Sequence, residues 1–459
     1  MDKKNFTFWN RIVALAVFLI AAVTYLLTIE PTASFWDCGE FIASSYKLEV
    51  GHPPGNPVFQ LFARFATIFT GPEHAAMAVN AMNAILSALT ILLLYLTTVF
   101  LVKRLVKPGE DGNYSLAKCI AIFGSGAVGA LAYTFSDTFW FSAVEGEVYA
   151  MSSLFTALVF WAMTKWYEQA DEPYANRWLV LIALLMGLSI GIHLLNLLTI
   201  PALVFMFYYR KREEKEFTPK QLIGIFGVSV VILAFILYGI IPYLPKIAAA
   251  FDLLFVNSLG LPFNTGAAFF MLALLGLCFW GLFETAKRKN ALWNTALLCF
   301  TMIVIGFSLF SIVIIRSSAK TPTNEYQPDN PYTLVRYLGR EQYGSNPLIY
   351  GQAFASPYTL EPTEYWAPMP GKNEFGEIKD RYIKANGPDD IKYYSEGKML
   401  FPRMWSPQDG GYSSHVSFYK SYIDEPQYKT YRDESGRLRR FMMPSFIDNL
   451  EYFFDYQMN

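Results

Sequence analysis

Long apolar segments separated by polar ones fill the first two thirds of the chain. A helix needs about 20 mostly apolar residues to cross a bilayer. Nine segments come near that length, at 11–29, 76–102, 118–136, 148–167, 178–192, 194–209, 221–243, 266–283 and 291–315. The pattern predicts a polytopic α-helical membrane protein of about nine spans. The first segment is longer than the apolar region of a typical signal peptide, so we expect it to remain as an uncleaved anchor.

The pattern changes after residue 315. Residues 316–459 are rich in Tyr, Pro and Gly, and their short apolar strings are separated by turns. This is typical of a small mixed α/β unit. We therefore expect a transmembrane domain over 1–315, followed by an extracytoplasmic soluble segment over 316–459.

Composition agrees with a membrane protein and excludes some partners. The chain is 53% hydrophobic and only 16% charged, whereas soluble domains are about 25% charged. The formal net charge of -1 provides no field that would attract nucleic acid. The four cysteines and four histidines show neither a disulfide framework nor metal-ligand spacing.

Basic residues are divided unevenly between the two ends of the predicted spans. If the N-terminus is cytoplasmic, 17 of the 20 Lys and Arg in residues 1–315 lie on the cytoplasmic side and three on the other. This bias predicts that orientation, with residues 316–459 outside. In a bacterium, the protein would lie in the inner membrane with this segment in the periplasm. The residues assigned to the cytoplasmic side are Lys3, Lys4, Arg11, Lys103, Arg104, Lys107, Lys118, Lys165, Arg177, Arg210, Lys211, Arg212, Lys215, Lys220, Lys287, Arg288 and Lys289.

The predicted orientation gathers conspicuous polar residues at the outer ends of the spans. Asp37 and Glu40 follow the first span in the string FWDCGEFI, and they share one face if this segment is helical. Ionisable residues in such a position are candidates for a functional site. The other polar residues predicted on this side are Glu145, Glu147, His193, Asn196, Arg316 and Lys320.

The connection between the first two spans, residues 30–75, is unusually long. Its string GHPPGNP predicts a rigid turn and places His52 beside the acidic pair. Residues 35–48 before the turn and 58–65 after it are each predicted to form a short amphipathic helix in the membrane interface.

Several ordered strings resemble glycosyltransferase family 117 of the GT-C superfamily, which is related to protein O-mannosyltransferases. These strings are FWDCGEFI, GHPPGNP, VEGEVYA, GLSIGIHLLNLLTIPAL and IRSSAKTPTNEYQPDNPYTLVRYLGREQYG. The resemblance implies a GT-C-type bundle, a polyprenyl-phosphate donor of mannose or another hexose, and a hydroxyl of an exported protein as acceptor. The expected partners are this donor, this acceptor and membrane lipid. Bacterial members are longer, so the chain is also expected to be a fragment.

Sugar transfer from a lipid phosphate to a hydroxyl requires a base and a group that stabilises the leaving phosphate. Asp37 is the candidate base, with a helix N-cap as the structural alternative. Glu40 would hold the acceptor or raise the pKa of Asp37 through like charge. Glu145 and Glu147 are candidates for binding sugar hydroxyls or a divalent cation, with a solvated turn as the alternative.

Five further residues are candidates for donor or acceptor binding. His193, with Asn196 after it, would bond a donor phosphate oxygen, or it is a structural histidine between helices. Arg316 and Lys320 would bind the lipid phosphate, or Arg316 is an interfacial cation whose aliphatic part lies in lipid. His52 is a candidate because of its place beside the acidic pair.

Other functions stay open from the sequence. They are transfer to a lipid or envelope glycan, transport, and a non-catalytic role in envelope assembly. A transporter would need polar residues at mid-membrane and repeated halves, and the sequence shows no repeat. The string GSGAVG at 124–129 matches a dinucleotide-binding pattern, but it lies inside an apolar span without a preceding strand. Close helix packing explains it better. Residues 316–459 show no catalytic constellation, and we expect them to recognise the acceptor.

Overall fold

A computed structural model describes residues 1–212, 218–343, 347–372, 374, 379–405 and 414–458. Lys215, counted above among the cytoplasmic basic residues, lies outside them. The chain divides into two compact units. The first comprises Met1–Phe255 and Phe263–Leu338, and the second comprises Val256–Pro262 and Gly339–Asn459.

Fifteen α-helices lie between Lys3 and Leu338 in the described part of the chain. Their bounds are α1 (Lys3–Leu27), α2 (Cys38–Lys47), α3 (Pro57–Thr67), α4 (Ala75–Leu105), α5 (Leu116–Thr134), α6 (Asp137–Ala143), α7 (Val148–Gln169), α8 (Arg177–Ile190), α9 (Ile200–Lys211), α10 (Pro219–Ala234), α11 (Ile241–Leu259), α12 (Thr265–Lys287), α13 (Ala291–Phe307), α14 (Ser311–Ser318) and α15 (Pro331–Leu338). Short 3₁₀ turns cover Pro72–His74, Leu194–Thr199 and Ser308–Phe310, and a π-helical turn covers Phe235–Ile240.

Seven helical segments of the described chain are long and apolar enough to cross a membrane. They are Lys3–Leu27, Pro72–Leu105, Leu116–Thr134, Val148–Gln169, Pro219–Leu259, Thr265–Lys287 and Ala291–Ser318. The helices satisfy their backbone hydrogen bonds internally, which a bilayer requires. The chain therefore has the architecture of a multi-pass membrane protein.

The predicted spans at 178–192 and 194–209 are shorter in the structure than the sequence indicated. Helix α8 has 14 residues and α9 has 12. A 3₁₀ turn separates them, and α9 begins at Ile200 because the following Pro201 lacks the N–H that a helix interior needs. Both helices are apolar, but neither reaches the length of a typical span.

Two other spans extend beyond their predicted ends. The segment predicted over 221–243 continues through the π-helical turn and past Pro245 to Leu259. The last span continues to Ser318, so Arg316 lies inside α14 and not directly after the span. The predicted ends lie where the apolar runs stop, whereas the helical hydrogen bonding of both spans continues further.

Helices α8 and α13 pack with their backbones in close approach. A Cβ atom on Gly306 would lie 2.5 Å from the carbonyl carbon of Gly187, and a Cβ on Gly187 would lie 2.5 Å from the carbonyl oxygen of Ile303. Small residues are the usual means by which membrane helices approach so closely. In the GSGAVG string, Gly126 packs on Tyr95 and Val99 of α4 within the span, as helix packing predicts.

The first unit continues past the boundary predicted at residue 315. Glu325 donates its backbone N–H to the carbonyl of Val50 at 3.1 Å, and the Tyr337 hydroxyl donates to the carbonyl of Gly51 at 2.6 Å. Residues 316–338 therefore pack against the connection between the first two spans. The physical division of the chain falls after Leu338.

The second unit combines strands and helices. Its described strands form antiparallel pairs: β1 (Tyr350–Gln352) with β6 (Lys398–Leu400), β2 (Tyr358–Glu361) with β5 (Asp390–Tyr393), β3 (Glu364–Met369) with β4 (Arg381–Asn386), and β7 (Gln427–Arg432) with β8 (Leu438–Met443). Helix α16 (Ser414–Lys420) lies between β6 and β7, and helix α17 (Phe446–Met458) follows β8. Phe354, Met404, Tyr419 and Ile423 form a small buried core in this unit.

Candidate functional site

Asp37 stands at the start of α2, in the N-cap position. Its side chain makes no capping hydrogen bond and is 57% exposed. The N-cap alternative for Asp37 is therefore not what the structure shows. The carboxylate instead lies 3.9 Å, from Oδ2 to Nε2, from the ring of His52.

Glu40 holds His52 in place. The backbone N–H of His52 donates to Oε1 of Glu40 at 2.6 Å, and Nδ1 of the ring lies 3.1 Å and 3.0 Å from the two carboxylate oxygens. A Cβ on Gly51 would lie 2.5 Å from Oε1 of Glu40, so the residue before His52 must be glycine for this contact. The three side chains form a row in which His52 stands between the carboxylates of Asp37 and Glu40.

The contact changes the proton affinities of both partners. The hydrogen bond that the His52 ring donates to Glu40 raises the pKa of His52, although burial opposes this, and the charges of Glu40 and Asp37 add to the rise. Burial alone would raise the pKa of Glu40, but the hydrogen bonds and charge of His52 outweigh it and lower that pKa. Glu40 therefore acts on His52 directly, which differs from the predicted like-charge effect on Asp37.

Glu145 and Glu147 are buried, which contradicts the solvated-turn alternative. Asn83, itself buried in α4, donates its side-chain N–H to the carbonyls of Glu145 and Glu147 at 2.7 Å and 2.6 Å. Oε2 of Glu147 accepts from the backbone N–H of Val148 at 3.1 Å, at the start of α7. The side chain of Asn83, which belongs to membrane helix α4, therefore fixes the backbone of this turn.

Both buried carboxyl groups are hard to ionise. Burial, with smaller effects from the charges of Asp37 and Glu145, raises the pKa of Glu147 to about 7. Burial also raises the pKa of Glu145, although Ser34 and Cys38 partly oppose it. These charge effects place Asp37, His52 and Glu147 in one electrostatic neighbourhood. At neutral pH this neighbourhood contains carboxyl groups in different protonation states.

His193 and Asn196 lie at the edge of this cluster. His193 caps the 3₁₀ turn, and its Nδ1 accepts from the backbone N–H of Leu195 at 3.2 Å. Its ring is 5.4 Å from that of Tyr149, in the first turn of α7. Asn196 is fully buried, and its amide makes no hydrogen bond within the part of the chain that the structure describes.

Arg316 supports the C-terminal end of α2. Its Nε donates to the carbonyl of Leu48 at 2.6 Å and its Nη2 to the carbonyl of Lys47 at 3.1 Å. A cation at this position satisfies free carbonyls and interacts favourably with the helix dipole. Lys320 lies in an exposed turn, with a φ of 52°. The structure brings neither side chain into the row formed by Asp37, His52 and Glu40.

Sequence reasoning missed Glu325. The carboxyl of Glu325 affects the pKa of His52, and burial together with the charge of Glu40 raises the pKa of Glu325 itself. Glu325 lies in one of the strings that carry the family resemblance, but 273 positions separate it from His52. The pairing of residues 50 and 324 brings it near. In the described residues, no group of three or more acidic, His or Cys side chains is arranged to hold a metal ion.

An apolar groove runs between membrane helices α4, α5 and α7. Its volume is about 530 Å³. Hydroxyl side chains are interspersed along its walls, and Leu195 lines it close to His193. The residues that line the groove are Thr90, Leu94, Thr97, Gly129, Tyr133, Ser152, Ser153, Thr156, Ala157, Phe160 and Leu195.

Fold and site together define a multi-pass membrane protein with a carboxylate-rich site at one end of its helices. Residues 37–216 match the family model described as the Protein O-mannosyl-transferase TMEM260 N-terminal domain. Residues 344–454 match a family of unknown function, DUF8416. The first match includes Asp37, Glu40, His52, Glu145 and Glu147.

Two curated relatives carry the same name as the first family. The mouse protein O-mannosyl-transferase TMEM260 is 26% identical over 238 residues, which are 51% of this chain and 31% of the mouse protein. The Dictyostelium discoideum protein of that name is 24% identical over 201 residues, 42% of this chain and 22% of the relative. The chain thus spans less than a third of the length of either relative. These similarities support a family resembling O-mannosyltransferases.

The pH dependence of stability should report the contact between His52 and Glu40. The raised pKa of His52 gives a contribution that is complete below its ordinary value of 6.5 and is lost as the pH rises through the raised value. The lowered pKa of Glu40 gives a contribution present above 4.5 and lost as the pH falls through the lowered value. His52→Gln should therefore lower the thermal unfolding midpoint most near pH 5.5, by roughly 2–4 °C.

The comparison is the unfolding of the purified protein in detergent at pH 5.5 and pH 9. His74→Gln is the matched control, because His74 lies on the same connection and is exposed. The control should change little at either pH. An equal loss for His52→Gln at both pH values would contradict the ionic contact.

Proposed function

We propose that this chain is a glycosyltransferase of GT-C type, similar to glycosyltransferase family 117. It would move mannose or another hexose from a polyprenyl phosphate to a hydroxyl of an exported protein. The observation that carries the proposal is the row of Asp37, His52 and Glu40 in one electrostatic neighbourhood with the buried Glu147. The apolar groove between α4, α5 and α7 supports it. The names of the relatives support a sugar donor and a protein acceptor. The chain spans under a third of the length of those proteins, so we propose, for this chain, the activity that their names describe.

Asp37 acts as the base in this proposal. Its carboxylate takes the proton of the acceptor hydroxyl while that oxygen attacks the anomeric carbon of the sugar. The bond from the anomeric carbon to the phosphate oxygen breaks, and its electron pair stays with the lipid phosphate. His52, held by Glu40, lies 3.9 Å from the Asp37 carboxylate, and its positive charge when protonated helps to orient that carboxylate. Because Asp37 is more than half exposed, an acceptor from the aqueous side can reach it.

Glu147 serves the donor. With a pKa of about 7, a large fraction of this carboxyl is protonated at neutral pH. A protonated carboxyl donates a hydrogen bond to a phosphate oxygen or sugar hydroxyl, whereas an ionised one repels the phosphate. It is also a poor cation ligand, so we assign Glu147 to the donor and not to a metal. Glu145, buried beside it, supports the same face of the pocket.

The groove holds the lipid tail of the donor. Its apolar walls lie within the membrane helices, and Leu195 brings one part of it to His193. His193 is therefore the better-placed candidate for a phosphate contact. Arg316, which is bonded to carbonyls of α2, positions the helix that follows Asp37.

The orientation of the chain is part of the proposal. Seven long spans and nine predicted spans are both odd numbers, so either count puts the two ends of the membrane region on opposite sides. The excess of basic residues then favours a cytoplasmic N-terminus. In a bacterial inner membrane, the site and the second unit would face the periplasm.

Labelling of a single cysteine tests this orientation. Asp389, exposed between β4 and β5, is replaced by Cys in a background in which Cys38, Cys119, Cys278 and Cys299 are replaced by Ala. The cysteine should react with an impermeant maleimide in intact spheroplasts. A cysteine at Lys107, which lies in the connection after α4, is the control and should react only after lysis. The opposite pattern would reverse the orientation.

Replacement of the base tests the chemistry. Asp37→Asn keeps the size of the side chain but cannot accept the proton, so transfer should fall on the order of 10²-fold or more. Initial rates are measured with purified protein, polyprenyl-phosphate mannose and a Ser/Thr peptide. Asp137→Asn, an equally conservative change at the exposed start of α6, should leave the rate within about twofold. Wild-type turnover by Asp37→Asn would remove Asp37 from the mechanism.

A pH series tests Glu147. Its ionisation above pH 7 should raise the KM for donor in the wild type, on the order of tenfold between pH 6 and pH 9. The phosphodiester of the donor does not titrate in this range. Glu147→Gln stays neutral, so its KM for donor should be nearly constant. If the variant shows the same rise as the wild type, another group is responsible and Glu147 does not contact the donor.

A further inference from the structure

Trp36 is an exposed aromatic residue in a backbone conformation that large side chains seldom adopt. Its φ is +58°, and its side chain is 89% exposed. We propose that Trp36 binds the polypeptide acceptor and places its hydroxyl at Asp37, with Tyr326 as a second contact. This inference rests on the proposed function, and it concerns which side chains select the acceptor.

The backbone conformation of Trp36 is energetically unfavourable for a large side chain. Left-handed backbone angles are uncommon outside glycine, and for bulky residues they are outliers that concentrate at functional sites. A tryptophan buried in a core would gain packing energy in return, but this side chain is almost fully exposed. The adjacent Phe35 is also 74% exposed. The turn thus presents two aromatic rings directly before the candidate base.

The segment that carries Trp36 is held firmly. Asn80, fully buried in α4, donates its side-chain N–H to the carbonyls of Glu30 at 2.7 Å and Thr32 at 3.0 Å. Glu30 also donates its backbone N–H to the carbonyl of Val144 at 3.0 Å. A ring on such a support loses little freedom when it binds a partner, which is the property that makes Trp effective at binding surfaces.

A second exposed aromatic residue lies beside the same cluster. Tyr326 has a φ of +56° and is 57% exposed. It directly follows Glu325, whose charge acts on His52. Trp36 and Tyr326 are therefore each one position away from a member of the carboxylate cluster, and both are turned outward in left-handed conformations.

The location of the groove indicates that Trp36 contacts the acceptor and not the lipid-linked donor. Donor-side features lie at the start of α7, which Glu147 caps, and in the 3₁₀ turn after α8. Leu195 in that turn lines the intramembrane groove, and His193, two positions before it, lies 5.4 Å from the ring of Tyr149 in the first turn of α7. Trp36 lies in the connection that follows α1, before Asp37. A lipid-linked donor arrives through the membrane, so the exposed rings in the connection face the other substrate. Flat aromatic surfaces suit an extended peptide, whose backbone and side chains stack on them.

The test separates binding of the two substrates. Trp36→Ala should raise the KM for a Ser/Thr peptide about 10- to 30-fold, while the KM for polyprenyl-phosphate mannose changes less than about twofold. Trp36→Phe should recover most of the loss. Trp36→Gly suits the backbone angle but lacks the ring, so it should behave like the Ala variant. Phe69→Ala, an equally exposed aromatic position in the same connection, should resemble wild type. Tyr326→Ala should show a smaller rise.

Direct binding of a fluorescently labelled peptide, measured by anisotropy, keeps this inference separate from the proposed function. Weaker peptide binding by Trp36→Ala than by Phe69→Ala supports it even if no sugar is transferred, in which case the proposed function alone fails. Transfer by the wild type with unchanged peptide KM and binding in Trp36→Ala overturns the inference alone. A rise in donor KM only, or recovery of wild-type behaviour by Trp36→Gly, would also overturn it.

Discussion

Backbone carbonyl groups that are withdrawn from solvent need hydrogen-bond donors. Two asparagine side chains of helix α4 supply these donors to the segments that carry the site. Asn80 bonds the connection that follows α1, and Asn83 bonds the turn that carries Glu145 and Glu147. Spaced by three residues, they lie on one face of the helix. Because both asparagine side chains are fully buried, each lost bond would leave a buried polar group unsatisfied. The positions of Asp37 and Glu147 relative to each other depend on this one helix.

The fixed geometry allows similar side chains to have different proton affinities. Glu40 meets a histidine and keeps a lowered pKa, whereas Glu147 is buried with few donors and has a pKa of about 7. Asp37 remains largely exposed between them. Carboxyl groups whose environments differ in this way can divide acid, base and binding roles within one pocket. A like-charge pair of Asp37 and Glu40 acting alone would not give this division.

Local patterns predicted much of this structure, and the failures have identifiable physical causes. Runs of apolar residues located the long spans, and the helix predicted over 35–48 forms as Cys38–Lys47, with Asp37 at its N-cap and Glu40 in its first turn. Hydropathy overestimated the lengths of the two helices around Pro201, because it counts apolar residues and ignores the missing backbone donor of proline. It could not show that Arg316 supports α2, or that Glu325 lies near His52, because these contacts join residues more than 260 positions apart.

The same long separations determine when the pocket is complete. The connection with Asp37 and His52 is synthesised near the start of the chain. Of the residues that pack against it, Arg316 lies in the last turn of the last described span, and Glu325 and Tyr337 follow that span. Closing so large a loop has an entropic cost and slows assembly. The seven described spans must therefore be synthesised before this support is complete. Biogenesis itself thus delays the completed pocket until the whole first unit has been made.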